Sequence, residues 1–222
     1  MSTVLVIAPH PDDETLACGG TLLRHIKEGD NVYWLIGTTI HESQGYSLDT
    51  VETRRKEIKR VAELFGFSGY KQIKFKTTEL DQYPFSELIS EIGNYVSEIK
   101  PNSLYLPFRN DAHSDHARIF DACMPFTKSF RYPYVKKIYL YETLSETEFG
   151  LRHDDPGFKP NKWVDITSFI KDKIKIMNIY KSEMGEHPFP RSERSILSLA
   201  TLRGSVCGSE YAEAFITLKD IS

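Results

Sequence analysis

The stretch "TVLVIAPHPDDETLACGG", residues 3–20, holds the transition from which the fold can be read. Thr3 to Ala8 is a short, unbroken apolar run, the pattern of a strand covered on both faces. From Thr15 to Glu28 the pattern is helical, with Leu16, Gly19/Gly20, Leu23 and Ile26 near one face and Gly29 ending it. Between the two stand His10, Pro11, Asp12, Asp13 and Glu14. Three carboxylates crowded beside an imidazole at the end of a buried strand repel one another and lose hydration, so a purely structural reason for them is not easy to find.

The same alternation continues downstream. "NVYWLIG" (31–37) reads as a second strand and Leu48 to Phe65 as a helix, with Val51, Ile58, Val61, Ala62 and Phe65 on one side and Gly66 closing it. "YKQIKF" (70–75) is a weaker third strand, and Phe85 to Ile99 is a helix stopped before Pro101. "NSLYLPF" (102–108), a helix from about Ser114 and "KKIYLYE" (136–142) extend the series. Strands alternating with helices imply an α/β fold with a mostly parallel sheet, right-handed crossovers and helices on both faces. The expected strand order is 3-2-1-4-5.

The last third is less regular. Residues 143–164, with Asp154, Asp155, Pro156, Gly157 and Pro160, read as a loop. Residues 165–183 read as a helix with Asp165 as N-cap, broken by "HPFPR". A helix from about Ser192 to Leu202 and a final strand over 211–218 complete the pattern. No repeat or linker divides the chain, so residues 1–222 are expected to form a single domain.

Composition narrows the function classes. With 40% hydrophobic and 27% charged residues and a net charge of −3, the chain lacks the broad basic face of a nucleic-acid binder. No apolar run approaches the ~20 residues of a membrane span. The start, Met-Ser-Thr and then a strand, has no basic n-region of a signal peptide. Cys18, Cys123 and Cys207 are odd in number and far apart, which fits a reducing cytoplasm and not a disulfide framework or a C-x-x-C zinc site.

In an open parallel sheet, ligands bind beyond the carboxyl ends of the strands where strand order reverses. In the order 3-2-1-4-5 that point lies between the first and fourth strands. His10 to Glu14 follow the first, and "RNDAHSDH", Arg109 to His116, follows the fourth. The two densest clusters of ligand-type residues therefore meet at one place. Two imidazoles and a carboxylate suffice to hold a catalytic zinc with one position open for water. A cation also accounts for the crowded acids. Cysteine-free N/O ligation suits zinc, and also admits Fe2+, Mn2+ or Co2+. Spacing does not say which aspartate would bind.

"APHPDDE" with "HSDH" resembles the PIG-L/LmbE-like family of metal-dependent N-acetyl-sugar deacetylases, and "RRKEIKRVAELFG" and "YAEAF" extend the likeness over most of the chain. The resemblance implies a Rossmann-like fold with His10, Asp13 and His116 as metal ligands. It implies Asp12 as the general base on the metal-activated water. His113, as imidazolium, would stabilise the oxyanion and help protonate the leaving amine, with Asp115 orienting and charging it. Arg54 falls at the family's substrate-contacting arginine, beside Arg55. The implied substrate is a small N-acetylated amino sugar or its conjugate, the implied reaction loss of its acetyl group. Family members assemble in several ways, so a homo-oligomer is compatible.

Blander roles compete. Asp13, Asp12 and Glu14 suit a helix N-terminus, and Asp115 suits an N-cap. Asp111 reads as a loop acid, and Arg54 and Arg55 as a solvated helix face. His41 follows a strand end, where a substrate contact is conceivable; His153 and His187 lie in loops. Gly19-Gly20 suits close packing better than a phosphate cradle. Two further functions stand beside the deacetylase: the same metal site used for another amide hydrolysis or a hydration, and a non-catalytic Rossmann-like binding module. The missing G-x-G-x-x-G after the first strand argues against the second.

Overall fold

The computed structural model describes residues 1–151, 153, 154 and 157–222. In chain order the elements are β1 (Thr3–Ala8), α1 (Asp13–Lys27), β2 (Asn31–Ile36), α2 (Leu48–Phe65), β3 (Gly69–Gln72), α3 (Phe85–Ile99) and β4 (Ser103–Pro107). There follow α4 (Ser114–Cys123), β5 (Lys137–Tyr141), β6 (Lys162–Asp165), α5 (Ile170–Met177), α6 (Glu193–Cys207) and β7 (Ala212–Asp220). One seven-stranded sheet runs β3-β2-β1-β4-β5-β7-β6. Its first five strands pair in parallel in the expected order, and β7 runs antiparallel to both β5 and β6.

β1 shows why the apolar run was unbroken. Val4, Val6 and Ala8 enter one core with α1 and α2, while Leu5 and Ile7 enter the other with α3 and α4. A strand in the middle of a two-sided sheet has no wet face. Val51, Ile58, Val61, Ala62 and Phe65 are the buried stripe of α2, and Gly66 closes that helix at φ 78.

The C-terminal third departs from expectation. The predicted helix over 165–183 is split: Asp165 ends the edge strand β6 and its carboxylate accepts the Thr167 amide at 2.9 Å, so it caps no helix. Only Ile170–Met177 is helical, after Phe169. β7 captures residues 162–165 as an edge strand, and Tyr180 turns into the core and is fully buried. Ladder pairing and burial override local helix preference here. Of the predicted loop 143–164, Lys162–Val164 are strand, and Arg152, Asp155 and Pro156 lie outside the described residues.

α1 is broken at Cys18, whose φ of −139° and ψ of 19° are not helical. A buried ion pair takes up the freed backbone groups. Lys173 Nζ donates to Leu16 O at 2.8 Å and to Glu213 at 2.7 Å, while Glu213 accepts the amides of Gly20 at 2.9 Å and Thr21 at 2.7 Å. The glycine pair serves packing: a Cβ on Gly20 would lie 2.6 Å from Cβ and Cγ2 of Ile166. Alanine in a helix usually gains about 1 kcal/mol over glycine. Here the branch point it meets cannot rotate away, and overpacking costs about 1–3 kcal/mol. Gly20→Ala is therefore expected to lower the urea midpoint, and a midpoint raised by the substitution would contradict this packing.

Candidate metal centre and active-site pocket

β1 pairs with β2 on one side and with β4 on the other, so the order reverses at β1. The chain leaving β1 carries residues 9–12 and the chain leaving β4 carries residues 108–113, and the two meet there. Asp12 takes φ 128° and ψ −31°, a region that L-residues rarely occupy. Its carbonyl accepts the first helical amides, from Thr15 at 3.0 Å and Leu16 at 2.9 Å, yet its side chain caps nothing. The Asp13 carboxylate accepts the His10 amide at 2.8 Å, closing the loop.

Three side chains then converge. Asp13 Oδ2 lies 3.3 Å from His10 Nδ1 and 3.4 Å from His116 Nε2, and donor atoms of all three fall within 4.8 Å of one another. His10, His113 and Asp115 form a second, overlapping group within the same span. His116 and Asp13 are buried, and His10 is partly so. Asp111 is buried too, and accepts from His116 Nδ1 at 2.6 Å and from Thr147 Oγ1 at 2.6 Å. The bond to Asp111 puts the neutral ring's proton on Nδ1, so Nε2 presents a lone pair. That Nε2 is buried without a hydrogen-bond partner among the described residues. An orphaned imidazole lone pair beside a carboxylate and a second imidazole is the donor set of a cation site. A third group, His25, Glu28 and Asp30, has both ring nitrogens taken up, by Asp30 at 2.9 Å and Tyr105 at 3.0 Å.

The buried carboxylates favour charged rings at both candidate ligand histidines, and a bound cation would take the place of those protons; Asp13 and Asp111 push His116 well up although burial opposes it. Burial opposes a charge on His10, but the hydrogen-bonded carboxylates of Asp115 and Asp13 outweigh it and raise the imidazole to about 9. Burial also opposes ionisation of Asp13, yet His116 and His10 hold that carboxyl far below its usual range. Burial, Asp13 and Glu183 push Asp12 well up, against the pull of Arg191 and His10. Burial and the neighbouring His10 lower His113 to about 4, a neutral ring at pH 7 where the resemblance implied imidazolium. The Asp115 amide donates to His113 Nδ1 at 3.1 Å, which leaves the ring proton on Nε2. The Asp115 carboxylate is nearer to His10 Nε2, at 3.0 Å, than to His113 Nδ1, at 3.8 Å, and it also accepts the Thr78 amide at 2.8 Å. Its closest ionisable partner is therefore His10, not His113.

His10, Asp12, Asp13 and His113 line a cavity of about 380 Å3 whose walls include Thr38, Tyr46, Arg54, Glu146, Glu183 and Arg191. Arg54 is half-buried, and its donors meet Glu57 Oε2 at 3.1 Å, Pro11 O at 3.2 Å, Ser182 Oγ at 3.0 Å and Glu183. Arg55 is exposed. His41 caps its own short turn through Ser43 and, like exposed His153 and His187, does not line the cavity. The sequence reading missed several groups. Arg191 reaches Asp12 at 3.4 Å and Glu183 at 3.2 Å, and Glu146 accepts the His113 amide at 3.1 Å. Asp111 stood five residues before a candidate ligand, a spacing that could have raised it above a loop acid. For Glu183 and Arg191 no local signal exists.

Residues 5–127 match the family model described as PIG-L, GlcNAc-PI de-N-acetylase. The chain is 27% identical over 220 residues to a diacetylchitobiose deacetylase of Thermococcus kodakarensis, covering 95% of this chain and 80% of that one. It is 29% identical over 123 residues to a probable N-acetyl-alpha-D-glucosaminyl L-malate deacetylase 2 of Bacillus cereus, covering 51% of this chain and 55% of that one. The solved N,N'-diacetylchitobiose deacetylase of Pyrococcus horikoshii superposes with a TM-score of 0.78 at 25% identity, over 98% of this chain and 84% of that one.

Proposed function

The chain belongs to the PIG-L family, and from that premise we propose that it is a zinc-dependent hydrolase removing the acetyl group from an N-acetylated amino sugar or its conjugate. One observation carries the reading. The orphaned, buried Nε2 of His116 lies beside Asp13 and within the same donor group as His10, and Asp13 and His10 line a cavity together with Asp12 and His113. The names of the relatives, deacetylases of N-acetylated sugars, support the substrate class. Among the described residues no helix is long and apolar enough to cross a membrane. The three free cysteines suit a reducing cytoplasm.

His10, Asp13 and His116 would hold the cation. Bound there, zinc supplies Lewis acidity, polarising the amide carbonyl and lowering the pKa of water toward ~7. Asp12, buried and pushed upward, takes the proton of the attacking water as its oxygen bonds to the carbonyl carbon. His113 donates Nε2–H to the developing oxyanion, because its Nδ1 is already an acceptor. When the C–N bond breaks, the proton held by Asp12 passes to the amine nitrogen, and acetate and the free amino sugar leave. Glu146 fixes the His113 backbone during these steps.

Asp111 orients His116 and makes its ring a stronger donor. Asp111→Asn keeps the shape and removes the charge, and should weaken zinc binding by about 10- to 100-fold, measured by competition with a chelator. Unchanged affinity would show that the Asp111 contact is only structural. The function itself is tested by acetate release from zinc-loaded protein across N-acetylglucosamine, N,N'-diacetylchitobiose and N-acetylglucosaminyl malate. Release from one of them supports the proposal. Zinc bound stoichiometrically without acetate from any would overturn the deacetylase and turn attention to hydration.

A further inference from the structure

The geometry points to a clamp on the single peptide unit between Pro11 and Asp12, built from Arg54, Glu14 and Tyr180, that holds Asp12 in its uncommon backbone conformation. The inference rests on Asp12 being the base proposed above. It gives Arg54 a role other than the substrate contact that the family resemblance implies.

Both ends of this peptide unit are held, from different elements. Its carbonyl, Pro11 O, accepts from Arg54 Nη1 at 3.2 Å, reaching over from α2. Its amide, Asp12 N–H, donates to Glu14 Oε2 at 3.1 Å, from the first turn of α1. Glu14 is fully buried, and its other oxygen accepts from Thr15 Oγ1 at 2.6 Å and Tyr180 OH at 3.1 Å. Tyr180 is fully buried as well, and the Arg54 guanidinium lies 5.7 Å from its ring centroid. The tyrosine therefore touches both arms. Glu57 and Glu183 fix the remaining orientation of Arg54.

Fixing that plane fixes φ at Asp12. An aspartate at the start of a helix normally takes extended backbone angles and turns its carboxylate onto the amide two or three residues on. At φ 128° Asp12 still starts α1 with its carbonyl, but its side chain makes no capping bond. The carboxylate is kept for the cavity, where Arg191 meets it at 3.4 Å. Without the clamp, the relaxed backbone and the capping bond favour one another, and both take the carboxylate away from the reacting atoms. Arg54 and Glu14 are thus positioning residues, acting through one peptide plane.

The test combines crystal structures with kinetics for zinc-loaded full-length protein. Variants are Glu14→Ala, Glu14→Gln, Arg54→Met and Arg54→Lys, each first checked for an intact thermal transition. In the crystal structures of Glu14→Ala and Arg54→Met, Asp12 should relax to negative φ with its carboxylate toward the Thr15 amide. Should either alanine-like truncation unfold the chain, Glu14→Gln and Arg54→Lys supply the structures, with a smaller shift in the same direction. Asp12 keeping φ near 128° in both members of either pair overturns the clamp, whatever the activity. On N,N'-diacetylchitobiose the truncations should lower kcat by about 100-fold, as a displaced catalytic group does, with KM within about threefold. Glu14→Gln keeps an acceptor oxygen and should recover most of that loss. A raised KM with unchanged kcat in Arg54→Met would make Arg54 a substrate contact and sink its part in the clamp. If wild-type protein releases no acetate, the deacetylase reading fails by itself, and the Asp12 conformation in the variants still decides the clamp.

Discussion

Asp12→Asn is expected to lower acetate release by about 1,000-fold while leaving zinc affinity within a few-fold of wild type. Asparagine has nearly the same shape, so the loop between β1 and α1 keeps its bonds: the Asp12 amide to Glu14, and the Asp12 carbonyl to Thr15 and Leu16. What disappears is the ability to accept a proton. General-base catalysis by a positioned side chain contributes about 10²–10⁴-fold, and burial with the nearby Asp13 and Glu183 charges raises this carboxyl well above its ordinary range. The proposed cation donors His10, Asp13 and His116 are untouched, so binding and turnover should separate. Isothermal titration with zinc, run beside an acetate assay, reads the two. A variant that still turns over at a tenth of the wild-type rate would remove Asp12 from the chemistry. Joint loss of zinc and activity would instead make Asp12 part of the cation site.

Lys173→Met is expected to destabilise the chain by about 3–5 kcal/mol, the usual cost of stranding one member of a buried ion pair. Both partners are almost inaccessible, at 4% side-chain exposure each. Methionine restores the apolar stem but leaves the Glu213 charge with only the Gly20 and Thr21 amides, and leaves Leu16 O without its lysine donor. In a chain of this size each kcal/mol moves Tm by roughly 2–4 °C, so a fall of about 10 °C is predicted. Lys173→Met with Glu213→Gln should recover part of the loss, because the stranded charge goes while the amides keep an acceptor. A single variant within about 1 kcal/mol of wild type would mean that the break in α1 does not depend on the pair. The consequence reaches the site, because the first turn of α1 carries Asp13 and Glu14 and its direction is set at Cys18.

Much of this was legible along the chain. α2 and α3 follow their apolar periodicity closely, because each is stabilised mainly by burying one regular stripe, and β1 follows its unbroken apolar run, because both of its faces are covered. The meeting of "HPDDE" with "HSDH" followed from strand order alone, since a parallel sheet places the ends of β1 and β4 side by side. Strand order brings the two clusters together but does not choose among their carboxylates: donor atoms of His10, Asp13 and His116 lie within 4.8 Å of one another, and so do those of His10, His113 and Asp115. The partners of those residues were less legible. Asp111 looked like any loop acid until the fold buried it against His116. The Asp115 carboxylate turned toward His10, a choice made between two rings whose centroids are only 4.4 Å apart.

The sequence by itself determined the parallel half of the sheet and the residue types at its switch point. Those depend on interactions within a few positions, or on a strand order that short right-handed connections leave little freedom to vary. Only the tertiary structure decided the edge strand β6, the break in α1, the reach of Glu183 and Arg191 into the cavity and the peptide held between Arg54 and Glu14. Each joins residues more than 40 positions apart, or pits a local preference against a distant partner. A helix signal at Asp165 loses to a strand 47 residues later in the chain, because ladder pairing and burial outweigh the few tenths of a kcal/mol per residue that separate local propensities.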